Sequence, residues 1–358
     1  MSAQTRTVTD AEVQRVHKSA LLIDTHNDFP TEQGGHDRPP GKIDIGLAQT
    51  SAHTDLPRLK QGGVGAVFFA AYVAASYGLG PRAYDRAQQV IDTIHHDIVE
   101  RYPNDFVMAT RAADIEAAHK NGKIAALIGI EGGHAIQDSL DKLREFYKRG
   151  VRYMTLTHTN TNNWADSSGD INDTQVAHHN GLTDFGKDVV REMNRLGMMV
   201  DISHVSDKTF TDAMAVSSAP IIASHSSCRA LANAPRNMTD QMIVALAKKG
   251  GVVQVNFFCN FLTSTRPPKA TLADVVAHIN HIRQIAGIDA IGIGSDFDGI
   301  DCAPEGLEDV SKFPNLTRAL LEKGYSAGDI RKIYGGNLLR VMRAVERVAA
   351  GQRKVANK

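Results

Sequence analysis

Short apolar runs alternate with longer amphipathic stretches along almost the whole chain, and this alternation restricts the possible folds more than any other feature. Eight of the apolar runs are predicted strands: Ala20–Thr25, Gly65–Val73, Ile124–Ile130, Tyr153–Thr157, Met198–Ser203, Pro220–Ser224, Val252–Phe258 and Ala290–Ser295. The stretches between them predict helices over Arg82–Tyr102, Ser139–Arg149, Thr183–Leu196, Asp207–Val216, Asp240–Lys248 and Leu272–Ala286. In the last of these, valine and isoleucine recur at three- and four-residue spacing, as on one buried helix face.

Strands that alternate with helices are expected to pair in parallel, because each helical crossover returns the chain to the same end of the sheet. Continuous apolar runs favour a sheet that is buried on both faces. Eight such units in 358 residues predict an α/β fold, a (β/α)8 TIM-like barrel. We expect a single domain over residues 1–358, with two or three extra helices beyond Gly306 packed outside the barrel. The alternative is an open doubly wound sheet with a helical appendage, although no Gly-X-Gly-X-X-Gly follows the first run to support a dinucleotide site.

The composition argues against several classes of partner and site. Lys+Arg and Asp+Glu both number 40, so no broad basic surface is available for nucleic acid or an anionic membrane. The longest apolar run, Ala66–Ala75, is far shorter than the roughly 20 residues of a membrane helix. The polar start of the chain predicts no secretion signal, so we expect a cytoplasmic protein. Cys228, Cys259 and Cys302 are odd in number and widely spaced, and predict neither a disulfide framework nor a Cys-X-X-Cys metal site.

The polar residues that could carry chemistry follow the predicted strands. His26 and Asp28 end the first run two residues apart, so on an extended strand both side chains point to the same face. The third, fourth, fifth, sixth and eighth runs end in Glu131, His158, His204, His225 and Asp296. In a barrel, the carboxyl ends of the strands form one face, and barrel enzymes place their active sites there. Six of the eight predicted strands therefore deliver a histidine or carboxylate to the same rim.

A shared metal centre accounts for this concentration of ligands. Buried carboxylates without partners are costly, and a cation removes that cost while using imidazoles as neutral ligands. Two sets of histidine and carboxylate exceed what one tetrahedral Zn²⁺ requires. The sequence therefore predicts a binuclear site bridged by a carboxylate, with the ions roughly 3.5–4 Å apart.

Three further polar residues have predicted supporting roles. Asp24 shares the face of His26 by the alternation of side chains along a strand, and we expect it to orient a ligand. Asp201 is expected to make a structural hydrogen bond. His134, which follows two glycines, is either a partner of a ligand or a turn residue.

These motifs resemble those of the membrane (renal-type) dipeptidases, zinc peptidases within the amidohydrolase superfamily. The resemblance covers nearly the whole chain in order, and the Glu-Gly-Gly-His and Ser-Asp-Phe-Asp-Gly blocks are its most specific parts. The matching segments are Ile23–Asp28, Ala126–His134, Tyr153–His158, Gly181–Thr183, Ile202–Ser206, Ser224–Ser227, Arg236–Asn237, Asp296–Gly299, Pro304–Val310 and Gly336–Arg340.

The resemblance implies a role for each predicted site residue. His26 and Asp28 would bind one zinc ion, His204 and His225 the other, and Glu131 would bridge both. His158 and Arg236 would contact the substrate, and Asp296 would carry the proton. The implied substrate is a dipeptide, with tolerance of D-residues at its C-terminal position, and the implied assembly is a homodimer.

The sequence also departs from the family in ways that bear on these expectations. Where the family has a substrate-contacting tyrosine after the seventh strand, this chain has Phe257, Phe258 and Phe261, so the side-chain preference stays open. No leader or lipid-anchor tail is apparent, so we expect no membrane attachment. The same ligands would also suit a metal-dependent hydrolase of a lactam, a lactone or an N-acyl amino acid, or a catalytically silent zinc scaffold.

Overall fold

The computed structural model describes residues 6–33, 36–37 and 43–356. Eight parallel strands form the central sheet: β1 Leu22–Asn27, β2 Val64–Tyr72, β3 Ile124–Glu131, β4 Val151–Thr155, β5 Met199–Asp201, β6 Ile222–Ser226, β7 Val252–Val255 and β8 Ile291–Ile293. Each strand coincides or overlaps with one predicted run, and consecutive strands are neighbours in the sheet. The first and last strands meet through backbone hydrogen bonds from Asp296 to His26 (3.1 Å) and from Asp28 to Phe297 (2.9 Å). The predicted barrel is confirmed.

Three short strands lie outside this order. Phe106–Met108 pairs in parallel with the start of β3, and Glu32–Gln33 pairs with His36–Asp37 in an antiparallel hairpin. β4 pairs with β3 only from Ile128 onward, so Phe106–Met108 occupies the part of that edge that β4 leaves open. The sequence did not predict these three strands.

The helices are α1 Asp10–Lys18, α2 Leu56–Gln61, α3 Pro81–Thr93, α4 Ala112–Lys120, α5 Leu140–Lys148, α6 Asp184–Leu196, α7 Asp207–Val216, α8 Asp240–Lys248, α9 Cys259–Leu262, α10 Leu272–Ala286, α11 Phe313–Glu322, α12 Ala327–Arg331 and α13 Asn337–Ala356. A π-helical segment, Ile94–Glu100, continues α3 over nearly the full predicted length, and a second one, Lys332–Gly336, leads into α13. Thr183, Ser206 and Thr239 each accept a backbone N–H at the start of a predicted helix. Such a cap stabilises a helix start by about 1 kcal/mol.

The last helix closes the barrel at the amino-terminal ends of its strands. Leu338, Leu339, Val341, Met342 and Val345 of α13 are buried in one cluster with side chains from the strand starts. That cluster includes Ile23, Ala66, Ala125, Met199, Ile222 and Val252. The predicted extra helices are present as α11, α12 and α13, but α13 covers an end of the barrel, whereas we expected packing outside it. Helix periodicity identifies an apolar face without showing which surface will cover it.

Two of the three cysteines are paired. Cys259, at the start of α9, and Cys302, in the loop after β8, form a disulfide, whereas Cys228 is buried and free. The prediction of no disulfide pairing is therefore wrong for these two residues. Their separation of 43 positions gave no local pattern, because the pair meets only when the loops after β7 and β8 lie side by side.

Among the described helices, none combines the length and apolarity that crossing a bilayer demands.

Candidate active site

All eight predicted site residues meet at the carboxyl end of the barrel. Four are within or directly beyond a strand: His26, Asp28, Glu131 and His225. His158, His204 and Asp296 follow β4, β5 and β8 by three residues, and Arg236 lies in the loop between β6 and α8. His26, Asp28, Glu131 and His225 are almost fully buried. The strand ends therefore gather charges that lie far apart in the sequence.

Glu131 lies at the centre of the group. Its Oε1 is 2.9 Å from His204 Nε2 and 3.2 Å from His225 Nε2, whereas its Oε2 is 3.4 Å from His26 Nε2. The two oxygens of one carboxylate thus face two different sets of imidazoles. Burial opposes ionisation of Glu131, but His26, His158 and hydrogen bonds from His204 and His225 outweigh it and hold its pKa well below the usual value.

The imidazoles of His26 and His225 are held by their other nitrogens. His26 Nδ1 is 2.8 Å from the hydroxyl of Tyr153, and His225 Nδ1 is 2.8 Å from the hydroxyl of Ser224. Each contact leaves Nε2 directed toward Glu131. A hydrogen bond at one ring nitrogen is the usual way in which proteins orient a histidine that binds metal through the other.

The donor atoms fit a bound cation. Three groups of side chains place one possible ligand atom each within 4.8 Å of one another: His26, Glu131 and His225; Glu131, His158 and His204; His26, Asp28 and Asp296. Among the described residues, His26 Nε2 and both carboxylate oxygens of Asp28 are buried without a hydrogen-bond partner. Burial raises the pKa of Asp28 to about 8, with Glu131 and Asp296 adding negative charge, and a nearby cation would reverse that shift.

A glycine keeps the space around these oxygens free. A Cβ atom at Gly299 would lie 2.4 Å from Asp28 Oδ2 and 2.8 Å from Asp296 Oδ1. Any side chain at this position would enter the region that the two carboxylates face. The residues present therefore fit a metal centre in their chemistry, in their unpaired buried atoms and in the room between them.

Two of the site residues adopt an uncommon backbone conformation. His204 and Asp296 both have a φ of +67°, which lies in the left-handed region that residues other than glycine rarely adopt. Such backbone strain is concentrated at functional sites, where surrounding contacts enforce it. For Asp296 these contacts include its own N–H on the carbonyl of His26 and a hydrogen bond from Asn256 Nδ2 to its Oδ2 at 2.7 Å.

Arg236 and His158 border the site on its more open side. Arg236 donates to the carbonyl of His225 and to the hydroxyl of Ser226, both at 2.9 Å, and its guanidinium lies 5.6 Å from the ring centre of Phe261. Burial lowers its pKa to about 10, so it stays a cation at neutral pH. Burial also lowers the pKa of His158 to about 4, so this imidazole is neutral.

The model of the membrane dipeptidase family (peptidase family M19) matches residues 10–356. The chain belongs to the membrane dipeptidase family. It is therefore a dipeptidase, a hydrolase from a family of metallopeptidases, and its candidate metal ligands agree with that membership.

Individual dipeptidases and metallopeptidases are similar to this dipeptidase in sequence or in structure. Dipeptidase tcpJ of Claviceps purpurea (strain 20.1) is 41% identical over 317 residues, which cover 85% of this chain and 72% of that protein. The crystal structure of the probable dipeptidase PvdM from Pseudomonas aeruginosa is similar with a TM-score of 0.83, at 25% identity, over 95% of this chain and 98% of that one. A metallo peptidase from Rhodobacter sphaeroides, liganded with a phosphinate mimic of the dipeptide L-Ala-D-Ala, gives a TM-score of 0.78 at 27% identity over 91% and 99% of the chains.

The strand face predicted for Asp24 in this dipeptidase is wrong, because a β-bulge precedes His26. The Asp24 carboxylate nevertheless accepts the backbone N–H of His26 at 3.4 Å. The register between β1 and β2 moves from Asp24 opposite Val67 to Asn27 opposite Phe69, which places one extra residue in β1. The alternation of faces therefore changes before His26. Asp24 accepts hydrogen bonds from the backbone N–H (2.8 Å) and hydroxyl of Ser295 and holds the first and last strands together.

The other two supporting residues differ in outcome. Asp201 makes the structural hydrogen bonds that were predicted: it accepts from the hydroxyls of Thr155 and Ser224 and from two backbone N–H groups. His134 is buried in the Gly133–Ile136 turn and is outside the three groups of possible metal ligands. Burial lowers its pKa to about 4.

Sequence reasoning did not identify four residues that shape the site of this dipeptidase: Tyr153, Ser224, Asn256 and Gly299. Asn256 directly follows β7, but it lies inside the predicted run Val252–Phe258, so the apolar pattern did not place it at a strand end. Tyr153 is a polar residue inside an apolar run, which is a weaker signal. The requirement for Gly299 depends on the distance between two loops, and nothing in the local sequence reveals it.

Proposed function

We propose that this protein is a binuclear zinc dipeptidase in which His26 and Asp28 hold one ion, His204 and His225 the other, and Glu131 both. The orientation of the Glu131 carboxylate is the main support for this proposal. Its Oε2 faces His26, whereas its Oε1 faces His204 and His225. When bound, the two ions would bring the pKa of a water near neutrality and polarise the scissile carbonyl.

The remaining residues supply proton transfer and substrate binding. Asp296 Oδ1 is 4.0 Å from His26 Nε2, at the edge of the same group. It would accept a proton from the attacking water and deliver it to the departing amine, because an amide nitrogen leaves poorly unless it is protonated. The neutral imidazole of His158, 3.9 Å from Glu131 Oε1, would donate a hydrogen bond to the developing oxyanion.

Arg236 would bind the free C-terminal carboxylate of the substrate. It is a half-buried cation beside the histidines, and its Nε has no hydrogen-bond partner among the described residues. A guanidinium binds a carboxylate through two parallel hydrogen bonds, which fixes the distance from the carboxylate to the scissile bond. Such a clamp selects dipeptides over longer peptides.

We also propose that a D-residue is tolerated at the C-terminal position. The support is the related metallo peptidase from Rhodobacter sphaeroides that holds a mimic of L-Ala-D-Ala. The homodimer and the cytoplasmic location stay predictions.

Metal analysis and a substrate panel test the proposal. Purified protein should contain close to two zinc equivalents and lose activity to a chelator. Zinc-loaded protein should hydrolyse L-X-L-X and L-X-D-X dipeptides faster than lactams, lactones or N-acyl amino acids. Activity that survives complete removal of metal would contradict the proposal.

The proton role is tested by Asp296→Asn. The variant should keep its zinc and lose about 10²- to 10⁴-fold in kcat, the usual contribution of a general acid–base group. Asp301→Asn, a change at an exposed residue of the same loop, is the matched control and should leave kcat unchanged. Undiminished turnover by Asp296→Asn would place the proton carrier elsewhere.

A further inference from the structure

The side chain of Asn256 has only one possible orientation in this structure. It is fully buried directly after β7, and its Oδ1 accepts the backbone N–H of Phe258 at 2.5 Å. A carboxamide has one acceptor oxygen and one donor nitrogen. Because the oxygen is engaged by an N–H group, the nitrogen must be the atom that faces Asp296, and the two ends of the amide cannot be exchanged.

This amide engages one particular oxygen of Asp296. Asn256 Nδ2 donates to Oδ2 at 2.7 Å, whereas Oδ1 is the oxygen 4.0 Å from His26 Nε2. A carboxylate rotates readily about its last side-chain bond, since that torsion has broad, two-fold minima. The hydrogen bond from Asn256 removes this freedom and occupies Oδ2 as an acceptor. Oδ1 is left as the oxygen that faces the reacting atoms.

The segment that carries Asn256 is itself attached to the segment that carries Asp296. The N–H of Phe257 donates to the carbonyl of Ser295 at 3.1 Å, one residue before Asp296. Three residues after Asn256, Cys259 is joined to Cys302 in the loop that follows Asp296. The donor and the carboxylate are therefore held at a fixed separation by contacts on both sides.

We propose that Asn256 is a positioning residue that holds Asp296 with Oδ1 directed at the reacting atoms. The inference rests on the proposed role of Asp296 in proton transfer. Asn256 is neutral, and its amide oxygen is already engaged by the N–H of Phe258, so it acts on the reaction through the orientation of Asp296. Its loss should lower kcat and leave KM and zinc content unchanged.

A double-mutant cycle tests this role directly. Asn256→Ala should lower kcat about 10- to 100-fold, as is typical when a hydrogen-bond partner of an active-site ligand is removed. In the Asp296→Asn background the same change should cause no further loss, because the carboxylate that it positions is already gone. Equal fold-losses in the two backgrounds would show an independent structural effect and overturn the proposal, as would a wild-type kcat for Asn256→Ala.

A second variant separates the turn from the contact with Asp296. A serine at position 256 can still accept the N–H of Phe258, as hydroxyls do in turns of this kind, but it is too short to reach Asp296 as well. Asn256→Ser should therefore lose as much kcat as Asn256→Ala. Full activity of Asn256→Ser would assign the amide to the turn and refute the positioning role. Asn260→Ala, at a half-buried amide in α9, is the control for general disturbance of this segment and should leave kcat unchanged.

The cycle also distinguishes this inference from the proposed function. Full activity of Asp296→Asn would overturn the proton role, and the positioning role with it. An impaired Asp296→Asn beside an unimpaired Asn256→Ala would overturn the positioning role alone.

Discussion

The two ends of the barrel bury opposite kinds of side chain: apolar at the amino-terminal end and charged or polar at the carboxyl end. At the amino-terminal end, aliphatic side chains of α13 meet aliphatic side chains of the strand starts, and all of them are buried. At the carboxyl end, carboxylates and imidazoles are buried together, some of their atoms have no hydrogen-bond partner within the described chain, and the site residues His204 and Asp296 both have a positive φ.

This difference separates residues that stabilise the fold from residues that the fold must hold in place. Apolar contacts at the amino-terminal end contribute to stability without any ligand. The carboxyl end carries charges whose burial is unfavourable without a compensating cation. Changes at the two ends should therefore have opposite effects on stability and activity, and four experiments test that expectation.

The largest effect is expected for Asp28→Asn. Burial raises the pKa of Asp28 from 3.8 to about 8, so in the metal-free fold its ionised form lowers stability increasingly as the pH rises from 3.8 toward 8. At pH 7 the variant should raise the Tm of chelator-treated protein. It should also lower kcat/KM of zinc-loaded protein by about 10³-fold, since one proposed metal ligand is lost. A lower Tm for the metal-free variant would contradict the contrast.

Leu338→Ala should do the reverse at the opposite end. Leu338 is 2% exposed in the cluster beneath the barrel, and truncation of such a leucine costs about 2–5 kcal/mol in the free energy of unfolding. Denaturant unfolding should show this loss, while kcat and KM of the folded protein stay at wild-type values. Leu47→Ala, at a leucine that is 62% exposed, is the matched control and should unfold like wild type.

A buried histidine outside the site gives the third test. His278 Nδ1 accepts the N–H of Cys228 at 3.0 Å, and its Nε2 lies 3.1 Å from the carbonyl of Leu262, so both nitrogens of a neutral ring are satisfied. Burial lowers its pKa from 6.5 to about 4. The unfolded chain therefore binds this proton first, and stability is lost as the pH falls from 6.5 to about 4.

The loss assigned to His278 over this window is about 3 kcal/mol. His278→Gln should make the free energy of unfolding less dependent on pH between these limits. His119→Gln, at an exposed position, should keep the wild-type slope. An unchanged slope for His278→Gln would show that other groups cause the acid sensitivity.

The smallest effect is expected for Arg236→Met. Hydrogen bonds to charged groups contribute about 1.5–3 kcal/mol, so KM for a dipeptide should rise about 10- to 100-fold. An uncharged aminoacyl amide has no carboxylate for Arg236 to bind, and its hydrolysis should change much less. Equal losses on both substrates would refute the carboxylate clamp.

The sequence predicted the barrel and the meeting of the candidate site residues for one shared reason. Apolar runs marked the strands, and His26, Glu131, His225 and the others marked the strand ends, so their meeting at one rim followed from parallel pairing. The predictions that the structure corrected depended on three-dimensional detail. The face of Asp24 depended on a one-residue bulge, the Cys259–Cys302 bond on the approach of two loops, and the position of α13 on which apolar surface was left uncovered.

Because of the bulge in β1, two adjacent side chains of this strand, Thr25 and His26, both point into the barrel and have different roles. The hydroxyl of Thr25 reaches the carbonyls of Ser224 (2.6 Å) and Ile293 (3.0 Å), while the very next side chain, His26, joins the ligands. In a regular strand, these two successive side chains would point to opposite faces of the sheet. Anyone who transplants this centre into another barrel must therefore copy the inserted residue together with the ligands, and a one-residue deletion in this stretch should abolish zinc binding with every ligand still present.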